Sequence, residues 1–207
     1  MGKSKANLSW ISVADLMTAM MMVFMFIAIS FMFLLENEKE IYRLELNKAL
    51  HSEFDSDLLA WKAEITDKNI VRFNAPFSEG SDVVSNDFKK ILSEFFPRYA
   101  KLLYSEKFKP EIAEIRVEGH TSYGWGKLED EQKIYLKNMY LSQDRASNVL
   151  TYSYQQVGNN EQLLRWLEKK LRANGMAYSK PILDDSMDID PQSSRRVEFR
   201  AMTKEHY

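Results

Sequence analysis

A run of about twenty uncharged and mostly apolar residues, Leu16 to Leu35, constrains this chain more than any other feature. At about 1.5 Å of rise per helical residue it reaches about 30 Å, the hydrocarbon thickness of one bilayer. An isolated lipid-facing segment satisfies its backbone hydrogen bonds only as a helix, so the run reads as a single transmembrane helix. A cleaved signal peptide has a core of about 7–15 apolar residues and a small-residue exit. Here Phe31, Met32 and Phe33 follow Ala28 without a break, so an uncleaved signal anchor fits better. Lys3 and Lys5 precede the run while Glu36, Glu38, Lys39 and Glu40 follow it. That asymmetry predicts a cytoplasmic N-terminus and an exported remainder, with Trp10 at the headgroup level.

Asp15 stands at the head of this run. A charge in a membrane segment costs about 2.5–3.5 kcal/mol on insertion scales, so one that persists needs a partner, a wet cavity or a function. Low dielectric raises the proton affinity of a carboxylate, which can then load a proton on one side and release it when its surroundings change. Ion conduction is the expectation; a sodium site would use the same oxygen. Thr18 lies one turn on and shares the face, and Ser12 lies three residues before. The competing reading makes Asp15 a helix N-cap, favoured by orphan N–H groups and the helix dipole. The six methionines between Met17 and Met32 read as packing surface, since no His or Cys supports a copper site near them.

About 170 residues remain for an exported part, enough for one domain with a core and a connector. A net charge of −2, with acidic and basic residues intermixed, gives no nucleic-acid footprint. The absence of cysteine removes disulfides, Cys-based zinc sites and thiol nucleophiles. The division expected is a cytoplasmic N-terminus over 1–9, a membrane helix over 10–35, a helical connector over 36–68, and a domain over 69–207. In the domain, Ile70 to Phe73 reads as a strand and Asn74 to Gly80 as turn chemistry. A helix capped by Ser85 or Asn86 follows, with Phe88, Ile91, Leu92, Phe95 and Phe96 at helical spacing and Pro97 as a kink. Ile112 to Glu118 alternates as a half-buried strand, and helices are expected over 135–154 and 160–173, the second stopped by Asn174-Gly175. Arg196 to Arg200 alternates as a last strand. Strands interleaved with helices predict an α/β sandwich, one mixed sheet covered by helices on one face.

Two stretches carry a family resemblance. Trp10 to Thr18 (Trp-Ile-Ser-Val-Ala-Asp-Leu-Met-Thr) resembles the membrane entry of flagellar stator B subunits. Val117-Glu118-Gly119-His120-Thr121, then Asn138 to Ala146 and Arg195-Arg196-Val197-Glu198, resembles OmpA-like peptidoglycan-binding domains. The order of the two is that of MotB-like stator proteins, and the wording around Asp15 is most similar to the B components of Zorya anti-phage systems, with flagellar stators as the rival. The resemblance implies a single-pass inner-membrane protein with a periplasmic OmpA-like domain. Two such B chains would sit inside five MotA-like multi-pass A subunits, driven by translocated H+ or Na+, with no bound cofactor and no nucleic acid.

The same resemblance implies a peptidoglycan site at Thr121, Ser122, Asn138, Leu141 and Arg145, and an ion path at Asp15 and Thr18. Family members use an Asp after Gly-His-Thr, with the Arg of the following helix, to hold the ammonium and carboxylate of diaminopimelate. Ser122 stands at the Asp position here, able to hydrogen-bond but carrying no charge. Arg145 keeps the guanidinium fork suited to a carboxylate. Lys137 stands where an aromatic residue is usual. His120 reads as structural, because His51 and His206 offer no matching metal spacing. Arg195 and Arg196 either reach the wall or pair with acidic neighbours, and Trp125 is either a contact or packing. The carboxylates Asp184, Asp185, Asp188 and Asp190 lack the glycine and terminal Glu of a calcium loop and read as a solvated loop. No anchored triad, phosphate loop or carboxylate pair is present, so no enzymatic activity is expected, and a passive wall tether is the remaining alternative.

Overall fold

The computed structural model describes residues 3–74, 76–125 and 130–204, with side chains from residue 13 onward. The side chains of Lys3, Lys5, Trp10 and Ser12, together with Ala75, Lys127 and His206, therefore lie outside what is described. Two compact units are present, Met1–Glu45 and Leu46–Tyr207. Helix α1 (Lys3–Trp61) supplies all that is described of the first unit. Its residues from Leu16 to Leu35 are all exposed, and it is long and apolar enough to cross a membrane. After the apolar run an i,i+3 ion pair, Arg43 to Glu40 at 2.6 Å, marks the return to polar sequence.

The second unit begins earlier than the sequence suggests. Leu46, Leu50, Phe54 and Trp61, within the stretch read as connector, are buried in the domain core. Their four- and seven-residue spacing sets one apolar stripe of α1 against the domain. Arg98 reinforces that contact, with Nε 2.7 Å from Glu53, Nη1 2.8 Å from Asp57, and its guanidinium over the Phe54 ring.

The remaining elements are β1 (Ala63–Ile65), β2 (Ile70–Asn74), α2 (Asn86–Leu103), β3 (Ile112–Gly119), α3 (Glu131–Gln155), α4 (Glu161–Lys170), β4 (Leu171–Gly175), β5 (Ile182–Leu183), β6 (Ile189–Asp190), α5 (Pro191–Ser194) and β7 (Arg196–Thr203). Ser85 caps α2 by accepting the Phe88 N–H, and Asp130 and Asn160 cap α3 and α4 in the same way. Pro97 lies inside α2, which runs on to Leu103. The helix expected over 160–173 stops at Lys170, where Leu171 turns extended and opens β4. Asn174-Gly175 thus ends a strand rather than stopping a helix.

The main sheet is five-stranded and mixed, in the order β1-β2-β7-β3-β4, with β3 and β4 parallel and the other pairs antiparallel. Val71, Phe73, Val197, Phe199, Ile115 and Val117 point to the face covered by helices and are buried. There the Phe95 ring lies 5.0 Å from Phe199 and 5.1 Å from Phe73, edge-to-face in both cases. Alternation puts Arg72, Glu198, Arg200, Glu118 and Arg116 on the other face. Two glycines bring α3 down onto the sheet: a Cβ on Gly119 would stand 2.2 Å from the Ser142 carbonyl oxygen, and one on Gly175 would stand 2.7 Å from the Gln143 nitrogen. Bare backbone is required at both.

Candidate functional site

The loop leaving β3 and one face of α3 enclose a cleft of about 380 Å³. Thr121, Ser122, Tyr123, Gly124 and Trp125 form one bank, and Asn138, Leu141 and Arg145 the other. All five positions proposed from sequence for the wall ligand therefore line one cavity. Their convergence follows from the fold. Asn138, Leu141 and Arg145 recur at three and four residues and so share a side of α3, while Gly119 lets that side approach the strand end.

Arg145 is the largest fully buried side chain among the described residues. Its Nε donates to the Ser81 carbonyl at 2.8 Å, its Nη2 donates to the Ser78 carbonyl at 3.0 Å, and the guanidinium lies 4.9 Å over the Phe77 ring. Among the described residues it has no carboxylate partner. Burial, and then the charge of Arg195, push its pKa down to about 10, against the opposing charge of Asp82. It remains a cation at neutral pH. A buried cation bound only to carbonyls calls for an anion, and an anion entering the cleft would supply the missing countercharge. Asn138 holds the Ile134 carbonyl at 3.0 Å and reaches Gly124 at 3.4 Å, tying the two banks together. Lys137 places its ammonium 5.3 Å over the Trp125 ring, which makes Trp125 part of the cleft wall.

The two neighbouring arginines part company. Arg195 lines the cleft, whereas Arg196 points to the other sheet face and pairs with Glu198 at 2.6 Å. Glu79, whose sequence shows only turn chemistry, also lines the cleft. Its signal was present, a lone acid in a Ser-Glu-Gly-Ser turn, but nothing in the sequence showed where the turn would fold.

Behind the cleft lies a buried charged cluster. Arg72 stands directly across from Glu198 and donates to it at 2.9 Å, and it also bonds Glu64 at 2.5 Å. Arg200 lies 3.4 Å from both Glu118 and Glu198. His120 Nε2 lies 3.7 Å from Glu118 and 3.6 Å from Glu198. These three donor residues meet the distance condition for a metal, their atoms all within 4.8 Å. The guanidiniums of Arg72, Arg196 and Arg200 already balance the carboxylates, however, so the cluster is electrostatically closed, consistent with a structural His120.

Burial raises the proton affinity of Glu198 and Glu118, yet His120 with Arg196 at the first, and His120 with Arg200 and Lys180 at the second, outweigh it. Both carboxyls are held below the usual range. A depressed folded-state pKa gives stability that is complete above the unfolded value, about 4.3, and lost as pH falls through the folded one. Melting temperature should therefore be level from neutral pH down to about 5 and decline below about 4.5. Melts that rise with acidification through this window would contradict the assignment.

The acidic stretch near the C-terminus is an ordered hairpin and not an open loop. Asp184 Oδ1 accepts the N–H groups of Ser186 and Asp188, and Asp190 caps α5. On the membrane-length helix, α1 starts at Lys3, so Asp15 lies twelve residues inside it, beyond the orphan N–H groups of the first turn. The capping alternative is thereby removed. Thr18 donates its hydroxyl to the Ala14 carbonyl at 2.9 Å, leaving its oxygen lone pairs as acceptors on the face of Asp15.

The chain is 40% identical over 215 residues to the Zorya protein ZorB of Escherichia coli (Crooks strain), an alignment covering 97% of this chain and 90% of that protein. No protein-family model matches. Among solved structures it is similar to a putative MotB-like protein from Desulfovibrio vulgaris (TM-score 0.49, 17% identity, 81% of this chain and 96% of that one). It is also similar to the cell wall anchor of the type VI secretion system from Pseudomonas aeruginosa (TM-score 0.48, 19% identity, 75% and 97%). A third similarity is to the periplasmic domain of Helicobacter pylori MotB (TM-score 0.46, 20% identity, 69% and 81%).

Proposed function

The chain belongs to the ZorB family of Zorya proteins, and from that premise we propose that it is the B subunit of an ion-driven, stator-like complex of the inner membrane, anchored to peptidoglycan and acting in anti-phage defence. The observation that carries the motor reading is Asp15, an acid in the interior of a helix whose next twenty residues carry no charge. Isolated in lipid it is a cost of about 2.5–3.5 kcal/mol, and packed against companion helices it becomes an exchangeable H+ or Na+ site, with Thr18 as a second oxygen donor. The exposed apolar side chains of the same helix are the surface on which those companions pack. In this reading a multi-pass, MotA-like A subunit surrounds two copies of the chain, in a ring of five, with the N-terminus cytoplasmic and residues 46–207 periplasmic.

The anchor is the cleft. The buried, carboxylate-free Arg145 is suited to the free carboxylate of diaminopimelate in a peptidoglycan stem peptide. Detergent extraction from cells that carry the neighbouring genes tests the assembly: affinity purification of this chain should bring down a multi-pass membrane protein in a five-to-two ratio to it. A chain recovered alone, from membranes in which such a partner is present, would reduce the reading to a passive tether.

A further inference from the structure

The cleft contains a charge arrangement that Ser122 alone would not have suggested. Ser78 to Ser81 form a tight turn closed by Ser81 N–H to the Ser78 carbonyl at 3.2 Å, with Gly80 at φ +66 in its third position. Glu79 occupies the second position. A positive φ there is the requirement of a type II turn, which fixes the direction of the residue before it. Arg145 grips both ends of this turn, through the carbonyls of Ser78 and Ser81. Beyond it, Asn148 donates to the Asp82 carbonyl at 3.0 Å and holds the following residue to α3. The cation that faces the cleft thus also fixes the loop bearing Glu79, the one lining carboxylate among the described residues.

Glu79 is exposed and forms no ion pair among the described residues, so its charge is unspent. Arg145 and Arg195 are the two lining guanidiniums, and neither pairs with a carboxylate there. A cleft with unpaired charges of both signs is complementary to a group that carries both. We propose that Glu79 is the specificity-determining carboxylate of the cleft. It accepts the ammonium of a zwitterionic, amino-acid-like ligand group whose carboxylate is held by Arg145, and so supplies the negative charge that Ser122 lacks. This rests on the wall-binding reading and names the part of the ligand that is read.

The test uses the full chain in detergent micelles and two probes: a stem tetrapeptide containing meso-diaminopimelate, and the same peptide with the side-chain amine acetylated. Titration calorimetry should show the free amine binding about tenfold more tightly than the acetylated form, the range of one charge-assisted hydrogen bond. Glu79→Gln should erase that preference, lowering affinity for the free-amine peptide to that for the acetylated one. Ser122→Asp in the Glu79→Gln background should restore it. If Glu79→Gln keeps the preference of the parent, or the parent binds both peptides equally, the role of Glu79 is overturned and the anchor survives. If the parent binds neither peptide, the wall-binding reading falls together with it.

Discussion

Asp15→Asn should leave the complex assembled and wall-anchored, yet reduce ion flux and protection against phage to background. Asn is nearly isosteric with Asp, keeps a carbonyl oxygen and lacks an exchangeable acidic proton or a formal charge. Removing the charge also removes the insertion cost of about 2.5–3.5 kcal/mol, so the variant chain should reach the membrane at least as well as the parent. Loss of output with intact assembly then reports the chemistry of the carboxylate and nothing else. The position inside α1, well past the helix start at Lys3, is what makes this inference sharp, because a capping acid would reveal itself in helix stability instead. Proton flux into vesicles holding the purified complex is the direct measurement. Parent-level flux from Asp15→Asn would end the conduction role.

Arg145→Ala should abolish co-sedimentation with purified peptidoglycan. Truncating one partner of a buried, hydrogen-bonded charge pair costs about 2–5 kcal/mol, at least about thirtyfold in affinity. The same substitution takes the guanidinium donor from the Ser81 carbonyl and leaves the Ser78 carbonyl with the Ser81 N–H alone, so the domain should also lose some melting temperature. Arg145→Lys separates the two effects. A lysine retains the charge but cannot grip two carbonyls and a carboxylate together, so pelleting should still fall sharply while the melting temperature falls less than in the alanine variant. Equal pelleting by parent and both variants would remove the cleft from the anchor.

Much of the fold is legible in the residues because its periods are clean. Phe88, Leu92, Phe95 and Phe96 announce α2, and the alternation of Ile115 and Val117 with charges announces β3. β4 is hidden because Leu163, Leu167 and Leu171 continue a four-residue spacing straight through the junction, so the helical period persists one residue into the strand. The start of the domain is hidden because Leu46, Leu50 and Phe54 sit in a charged, continuous helical stretch that gives no mark where a solvated connector ends and core-facing residues begin. At the cleft, helical spacing on α3 and the family wording were enough to bring five residues together. Arg195 and Arg196 are inseparable by sequence, since only the fold shows that Arg195 ends the short helix α5 beside the cleft while Arg196 opens β7 and turns to the Glu198 face. Glu79 was out of reach because its place depends on Arg145 holding a turn from sixty-odd residues away.

Gly119 and Gly175 give this last point a wider meaning. At Gly119 main chain rests on main chain, and at Gly175 α3 meets the strand through the Gln143 backbone and the Ser142 hydroxyl, so the approach of α3 to the sheet, and with it the cleft, is set at these two bare positions. Residues on the rim can therefore be exchanged without resizing the opening, and ligand preference becomes adjustable one position at a time. A methyl group at either glycine would wedge the banks apart and spoil every such choice at once.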